Sequence, residues 1–135
     1  MNRGIVIEFH LDSRSGVSPY LQIVHQVRHA LRLGMLHPGD QLPTVKEVVG
    51  SLAINPNTVL KAYRELEQEG LVEGRPGAGT FVLKTLKGPP PDKQAILQRS
   101  LDRWLETAFQ AGMDRDSVIA LFETTLRDVG KEASA

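Results

Sequence analysis

The stretch Asn55–Gly70, NPNTVLKAYRELEQEG, decides how the chain is read. Asn55 suits a helix N-cap, Pro56 the first helical position, where a missing N–H costs nothing, and Gly70 the residue just past the last turn. The spacing predicts a helix of about four turns. Val59, Ala62, Tyr63 and Leu66 form its apolar stripe, and Asn57, Lys61 and Arg64 share the opposite side. No acid joins that polar side in the first two turns, whereas Glu65, Glu67 and Glu69 crowd into the end. Any amphipathic helix carries a polar face, so the segregation of charge along this one is the informative feature.

Immediately upstream, LPTVKE (42–47) opens another helix through a capping box, Thr44 with Glu47, and Val45, Val48, Val49 and Leu52 give its apolar side. Only Ala53 and Ile54 separate the two, the skeleton of a helix-turn-helix. Downstream, LVEG and TFVL read as short strands around RPGAG (75–79), whose proline and glycines make a turn. A hairpin directly after the second helix is a wing. Farther upstream, Ser18 and Pro19 start a helix with Tyr20, Ile23, Val24, Val27 and Leu31 on one face, ending near Gly34. HPGD (37–40) is a turn, DSRSGVS a loop, and IVIEFHL (5–11) a short strand.

After the wing, TLKGPPPDK carries three consecutive prolines and reads as a stiff linker. Ile96, Leu97, Leu101, Trp104, Leu105, Ala108 and Phe109 then recur at helical spacing, and Asp114 caps a last helix bearing Val118, Ile119, Phe122 and Leu126. The expected fold is therefore mainly α with a small β-hairpin. A winged helix-turn-helix occupies residues 1–84, a proline-rich linker 85–92, and a two-helix dimerisation segment 93–135. The last segment is too short to bury a core of its own, so Leu97, Leu101, Trp104, Leu105, Ala108 and Phe122 are expected at an interface with a second copy.

Composition narrows the function. The 135 residues, 41% apolar, suffice for one modest core, and without cysteine there is no disulfide framework, thiolate metal site or cysteine nucleophile. The opening MNRGIVIEFHLD is broken by Glu8 and His10 and is too short for a signal peptide or membrane span, which predicts a soluble, cytoplasmic protein with no membrane partner. Sixteen basic residues balance sixteen acidic ones, nine against eight up to Lys84 and seven against eight beyond it. A nucleic-acid surface must then be a local patch.

The helix 55–70 supplies such a patch. Asparagine pairs bidentately with adenine, lysine meets guanine edges or phosphate, and Thr58 with free first-turn amides suits a phosphate. With Lys46 from the preceding helix and Arg75, Gly77 and Gly79 at the wing, the pattern predicts an N-terminal half that enters a major groove and an acidic end that stays outside. Thr44, Asn55 and Thr80 complete the candidate DNA-binding set of Lys46, Asn57, Thr58, Lys61, Arg64, Arg75 and Gly77.

These residues also carry a family resemblance. The run LPTVKEVVGSLAINPNTVLKAYRELEQEGLVEGRPGAGTFV (42–82) closely resembles the GntR family of bacterial transcription regulators, in particular its short-chain YtrA-like subfamily. The likeness covers Pro19 to Val82, through PYLQI, PGDQLP, NPNTV, AYRELE and GTFV, and beyond Lys84 rests on length and architecture alone. In the family, the residue matching Lys46 is usually an arginine that contacts DNA, those matching Asn55, Asn57 and Thr58 open the recognition helix, and the one matching Gly77 sits at the wing tip. Lysine at position 46 forfeits the planar fork for guanine, and Ala78 stands where related wings often carry a base. The resemblance implies a dimeric repressor of a transporter-type operon, binding an inverted-repeat operator of double-stranded DNA without a cofactor. No small-molecule effector can be named, and the short C-terminal segment lacks the bulk for the enclosed effector pocket of longer-tailed relatives.

Two other classes compete. A winged domain that has lost DNA binding would serve as a protein-interaction adaptor, which the neutral charge and the missing wing base favour. An enzyme is disfavoured, since no G-x-S-x-G elbow, P-loop or dinucleotide fingerprint accompanies the polar residues. His25 and His29 have the i, i+4 spacing of a metal pair, but they lie opposite the apolar stripe beside Arg28 and Arg32 with no third ligand, so no metal site is expected.

Overall fold

The computed structural model describes residues 7–86 and 88–134. Its elements run α1 (Pro19–Arg32), α2 (Val45–Leu52), α3 (Pro56–Gln68), β1 (Val72–Arg75), β2 (Gly79–Val82), α4 (Pro91–Gln110) and α5 (Arg115–Ser134). The chain divides between Pro89 and Pro90 into two compact units.

In the first unit the apolar stripes meet as their periodicity requires. Ile23, Val24, Val27 and Leu31 of α1, Val48 of α2, and Val59, Ala62, Tyr63 and Leu66 of α3 are buried together with Leu36, Leu42, Leu71, Val72 and Val82. α1 and α2 both pack against α3, which also touches β1. The capping box at Thr44 forms as the sequence predicts, with the Glu47 N–H donating to Thr44 Oγ1 at 3.1 Å and the Thr44 N–H to Glu47 Oε1 at 3.0 Å. Between α2 and α3, Ala53 takes the left-handed conformation, φ 55°. A side chain with a Cβ rarely adopts that state, yet it turns the chain sharply enough for α3 to start at Pro56.

β1 and β2 pair antiparallel in the register Val72↔Val82 to Arg75↔Gly79. Residues 39–42, from the second half of the HPGD turn onward, pair with the other edge of β2: the Gly39 N–H donates to the Val82 carbonyl, the Val82 N–H to the Asp40 carbonyl and the Leu42 N–H to the Thr80 carbonyl, at 2.8–2.9 Å. A third, very short strand position, the bridge of Gln41 to Phe81, thus ties the wing to the chain leading into α2, where the sequence pattern predicts only a turn.

The expected strand 5–11 is not formed over its described part. Residues 5 and 6 lie outside the described residues, and 7–11 are extended coil with Ile7 and Phe9 buried and Glu8 and His10 exposed. The alternation was real, but the partner is not a strand. Gln26 of α1 donates to the His10 carbonyl at 2.7 Å and accepts its N–H at 3.1 Å. Gln22, one turn earlier, makes the same pair with Asp12, at 3.0 and 2.8 Å. Two glutamine amides substitute for the backbone of a neighbouring strand.

In the second unit, α4 starts at Pro91, inside the stretch expected to be linker, because a proline at the first helical position has no N–H to lose. Asp114 caps α5, its carboxylate accepting from the Ser117 N–H at 2.8 Å. Among the described residues of this unit only Ala108 and Val118 are buried apolar residues.

Candidate nucleic-acid interface

The surface of α3 is set by its core-facing stripe. With Val59, Ala62, Tyr63 and Leu66 turned inward, Asn57, Leu60, Lys61 and Arg64 are left exposed, and Thr58 is half-buried at the edge. Tyr63 also anchors α3 to the chain before α2, its hydroxyl donating to the Pro43 carbonyl at 2.6 Å.

The start of α3 differs from expectation in its donors. Asn55 caps the helix, its Oδ1 accepting the Asn57 N–H at 2.8 Å, while the Thr58 N–H bonds the Asn55 carbonyl at 3.0 Å. Pro56 has no N–H. The amides of residues 56–58 therefore offer no free donor to a phosphate, and Asn55 acts first as a cap.

Lys61 is also engaged within the chain. Its ammonium lies 4.0 Å from the centroid of the Tyr20 ring, on the α1 side of α3. Among the described residues, the exposed edge of α3 with no tie to another element is Asn57, Leu60 and Arg64, at i, i+3 and i+7. Lys46 is exposed in the first turn of α2.

Two of the three acids at the end of α3 have structural partners. Glu69 pairs with Arg28 of α1, with a second contact from Arg28 Nε at 3.3 Å. Glu67 Oε2 accepts the Gly74 N–H at 2.7 Å, pinning β1 of the wing. The charge segregation along α3 thus divides labour: the acid-free half faces outward, and the acidic end fastens the helix to α1 and the wing. Glu65 Oε2 is buried and has no hydrogen-bond partner among the described residues.

The wing turn is fixed from within. Ala78 N–H donates to the Arg75 carbonyl at 2.9 Å, with Pro76 and Gly77 (φ 77°) at the corner as a type II turn requires. At Gly79, φ is 129°, a backbone conformation that strains any residue with a Cβ and favours glycine, and an added Cβ would also displace the Gln41 amide, whose Nε2 would lie 2.4 Å away. Gln41 in turn donates to the Ala78 carbonyl at 3.1 Å. Arg75 lies 4.5 Å over the Phe81 ring, and its Nε donates to Glu73 at 3.1 Å. Thr44, Arg75, Gly77 and Thr80, four of the expected residues, line one shallow, open groove together with Glu67. Gln41 and Glu67 were missed by sequence reasoning because nothing local marks a contact 37 or seven residues away.

His25 and His29 stack with ring centroids 6.5 Å apart, and among the described residues no group of three or more His, Cys, Asp or Glu is placed to hold a metal ion. No described helix is long and apolar enough to cross a membrane.

In the second unit, Leu97 (61%), Leu101, Trp104 and Phe122 are exposed, Leu105 is half-buried, and Ala108, at 6%, is already covered within the single chain. The remaining exposed apolar side chains, Ile96, Phe109, Ile119, Leu121, Leu126 and Val129, extend along both helices.

Two helices joined by a tight turn, a following two-stranded wing and an exposed acid-free helix edge define a winged helix-turn-helix DNA-binding protein. Comparison with known proteins is specific about which. The family described as "Bacterial regulatory proteins, gntR family" matches residues 19–82. The HTH-type transcriptional repressor YtrA of Bacillus subtilis is 35% identical over 109 residues, which cover 80% of this chain and 84% of that one. The solved YtrA of Sulfolobus acidocaldarius, a GntR-family transcription factor, superposes with a TM-score of 0.51 at 29% identity, over 76% of this chain and 99% of the other. A structure described as a transcriptional antiterminator from Listeria monocytogenes gives a TM-score of 0.57 at 27% identity, covering 91% and 92%. The chain belongs to the GntR family and is a DNA-binding transcription regulator.

Proposed function

We propose that the chain is a homodimeric, cytoplasmic repressor that binds an inverted-repeat operator and controls a transporter-type operon. The reading is carried by the outward edge of α3, Asn57 to Arg64, which bears no acid and leaves Asn57 and Arg64 exposed while Glu67 and Glu69 are held by other elements. Asn57 would read a base edge, Arg64 a phosphate, and Lys46 would reach the same duplex from α2. Repression is supported by the description of the Bacillus subtilis relative as a repressor. Dimerisation is supported by the apolar faces of α4 and α5, which two helices alone leave exposed.

The test is selection from a random duplex pool by the full chain, followed by affinity measurements against salt. An enriched inverted repeat is expected, with log affinity falling linearly in log salt. Absence of any enriched sequence, or binding indifferent to salt, would refute it.

A further inference from the structure

We infer that Leu60 is a specificity residue that reads the 5-methyl group of a thymine in each half-site; this rests on the DNA-binding reading above. Leu60 is 42% exposed on α3, between Asn57 one turn before and Arg64 one turn after, and takes no part in the stripe of Val59, Ala62, Tyr63 and Leu66. Its side chain carries no hydrogen-bonding group, so it adds nothing to the capping or ion pairing that engages its neighbours on α3. Lys61, adjacent in sequence, is drawn aside onto Tyr20, which leaves Asn57, Leu60 and Arg64 as one continuous outward strip.

An apolar side chain set in the middle of that strip has one apolar feature to meet in a major groove, the thymine methyl. Asn57 beside it suits adenine, so the strip as a whole favours an A·T-containing step. Burying one methyl against a leucine is worth about fourfold in affinity, and about fifteenfold when both half-sites of a dimer site lose it.

The experiment uses the full chain and the duplex selected by it, with each thymine replaced in turn by deoxyuridine, which removes only the methyl. One thymine per half-site should respond, with affinity about fourfold lower for a single replacement. In Leu60→Ala the same replacement should have no effect, and in Leu60→Met, which keeps apolar reach, the sensitivity should return. Leu60→Ala should bind the unmodified operator more weakly while keeping the wild-type melting temperature, since the side chain is exposed. The inference is overturned if no thymine responds, or if the response is unchanged in Leu60→Ala while operator binding itself stands. If no duplex is selected at all, the DNA-binding reading fails and this inference with it.

Discussion

The ammonium of Lys61 rests 4.0 Å from the centroid of the Tyr20 ring, so a lysine on the polar side of α3 is also a strut between α3 and the start of α1. A cation over an aromatic face at an exposed site contributes about 0.5–1 kcal/mol. A double-mutant cycle of Tyr20→Leu and Lys61→Met in thermal unfolding should give a coupling of that size. Additive single effects would mean that the pair is incidental.

Arg64 should behave differently. It is exposed and sits a turn beyond Leu60, where a phosphate is the natural partner. Arg64→Ala should weaken binding to operator and to scrambled duplex alike and reduce the salt slope by about one, measured by affinity at several salt concentrations. A loss confined to the operator would instead make Arg64 a base reader.

Glu67 holds the wing by accepting the Gly74 N–H at 2.7 Å. Glu67→Gln keeps a carbonyl acceptor, whereas Glu67→Ala leaves the amide to water, costing about 0.5–1.5 kcal/mol. Hydrogen exchange at the Gly74 amide should accelerate in the alanine variant and stay close to wild type in the glutamine one. Equal exchange in both would remove the assignment.

Ala53 holds φ at 55°, a conformation that costs a residue with a Cβ about 1–2 kcal/mol and glycine almost nothing. Glycine offsets part of that gain through its greater freedom in the unfolded chain. Ala53→Gly should therefore stabilise the winged unit by up to about 1 kcal/mol, raising its melting temperature by a few degrees. A lower melting temperature would contradict this account of the turn.

Asp114 caps α5, and the Ser117 backbone N–H, with its hydroxyl second, holds the carboxyl below its ordinary value of 3.8. A carboxyl depressed in the folded state contributes stability that is fully present above 3.8 and is lost as pH falls through the folded value. Helical signal from the second unit should decline in acid below that point. Asp114→Ala should remove this step, and its persistence would show that another group is responsible.

Most of this architecture was legible in the sequence, because each element carries its own local chemistry: Asn55–Pro56 at the start of α3, Thr44 with Glu47 at α2, Pro76–Gly77 in the wing. What escaped was set by distant partners. The pairing of residues 39–42 with β2 spans too few residues for a period of two to show. The extended arm at Phe9 alternated like a strand, but its hydrogen bonds go to Gln22 and Gln26. Within the site, the outward position of Asn57 and Arg64 followed from helical spacing alone, whereas the seat of Lys61 on Tyr20 and the engaged amides at Asn57 and Thr58 needed three-dimensional neighbours.

The second unit bears the dimer prediction. Ending the chain at residue 89, the boundary between the compact units, should yield a monomer by sedimentation with much weaker operator binding, since two linked half-site contacts act at high effective concentration. A truncated chain that still sediments as a dimer would move the interface into the winged unit.

Two copies of the Asn57–Arg64 edge are expected to read two half-sites held at a fixed separation. Mobility-shift affinities on operators with spacers lengthened by about 5 and about 10 base pairs, half and one full helical turn, test it most directly. Affinity should fall steeply at the half turn, which carries the second half-site to the opposite face of the duplex, and recover in part at the full turn. Undiminished binding at every spacing would contradict it, because a protein reading one half-site, or none, is indifferent to where the second lies.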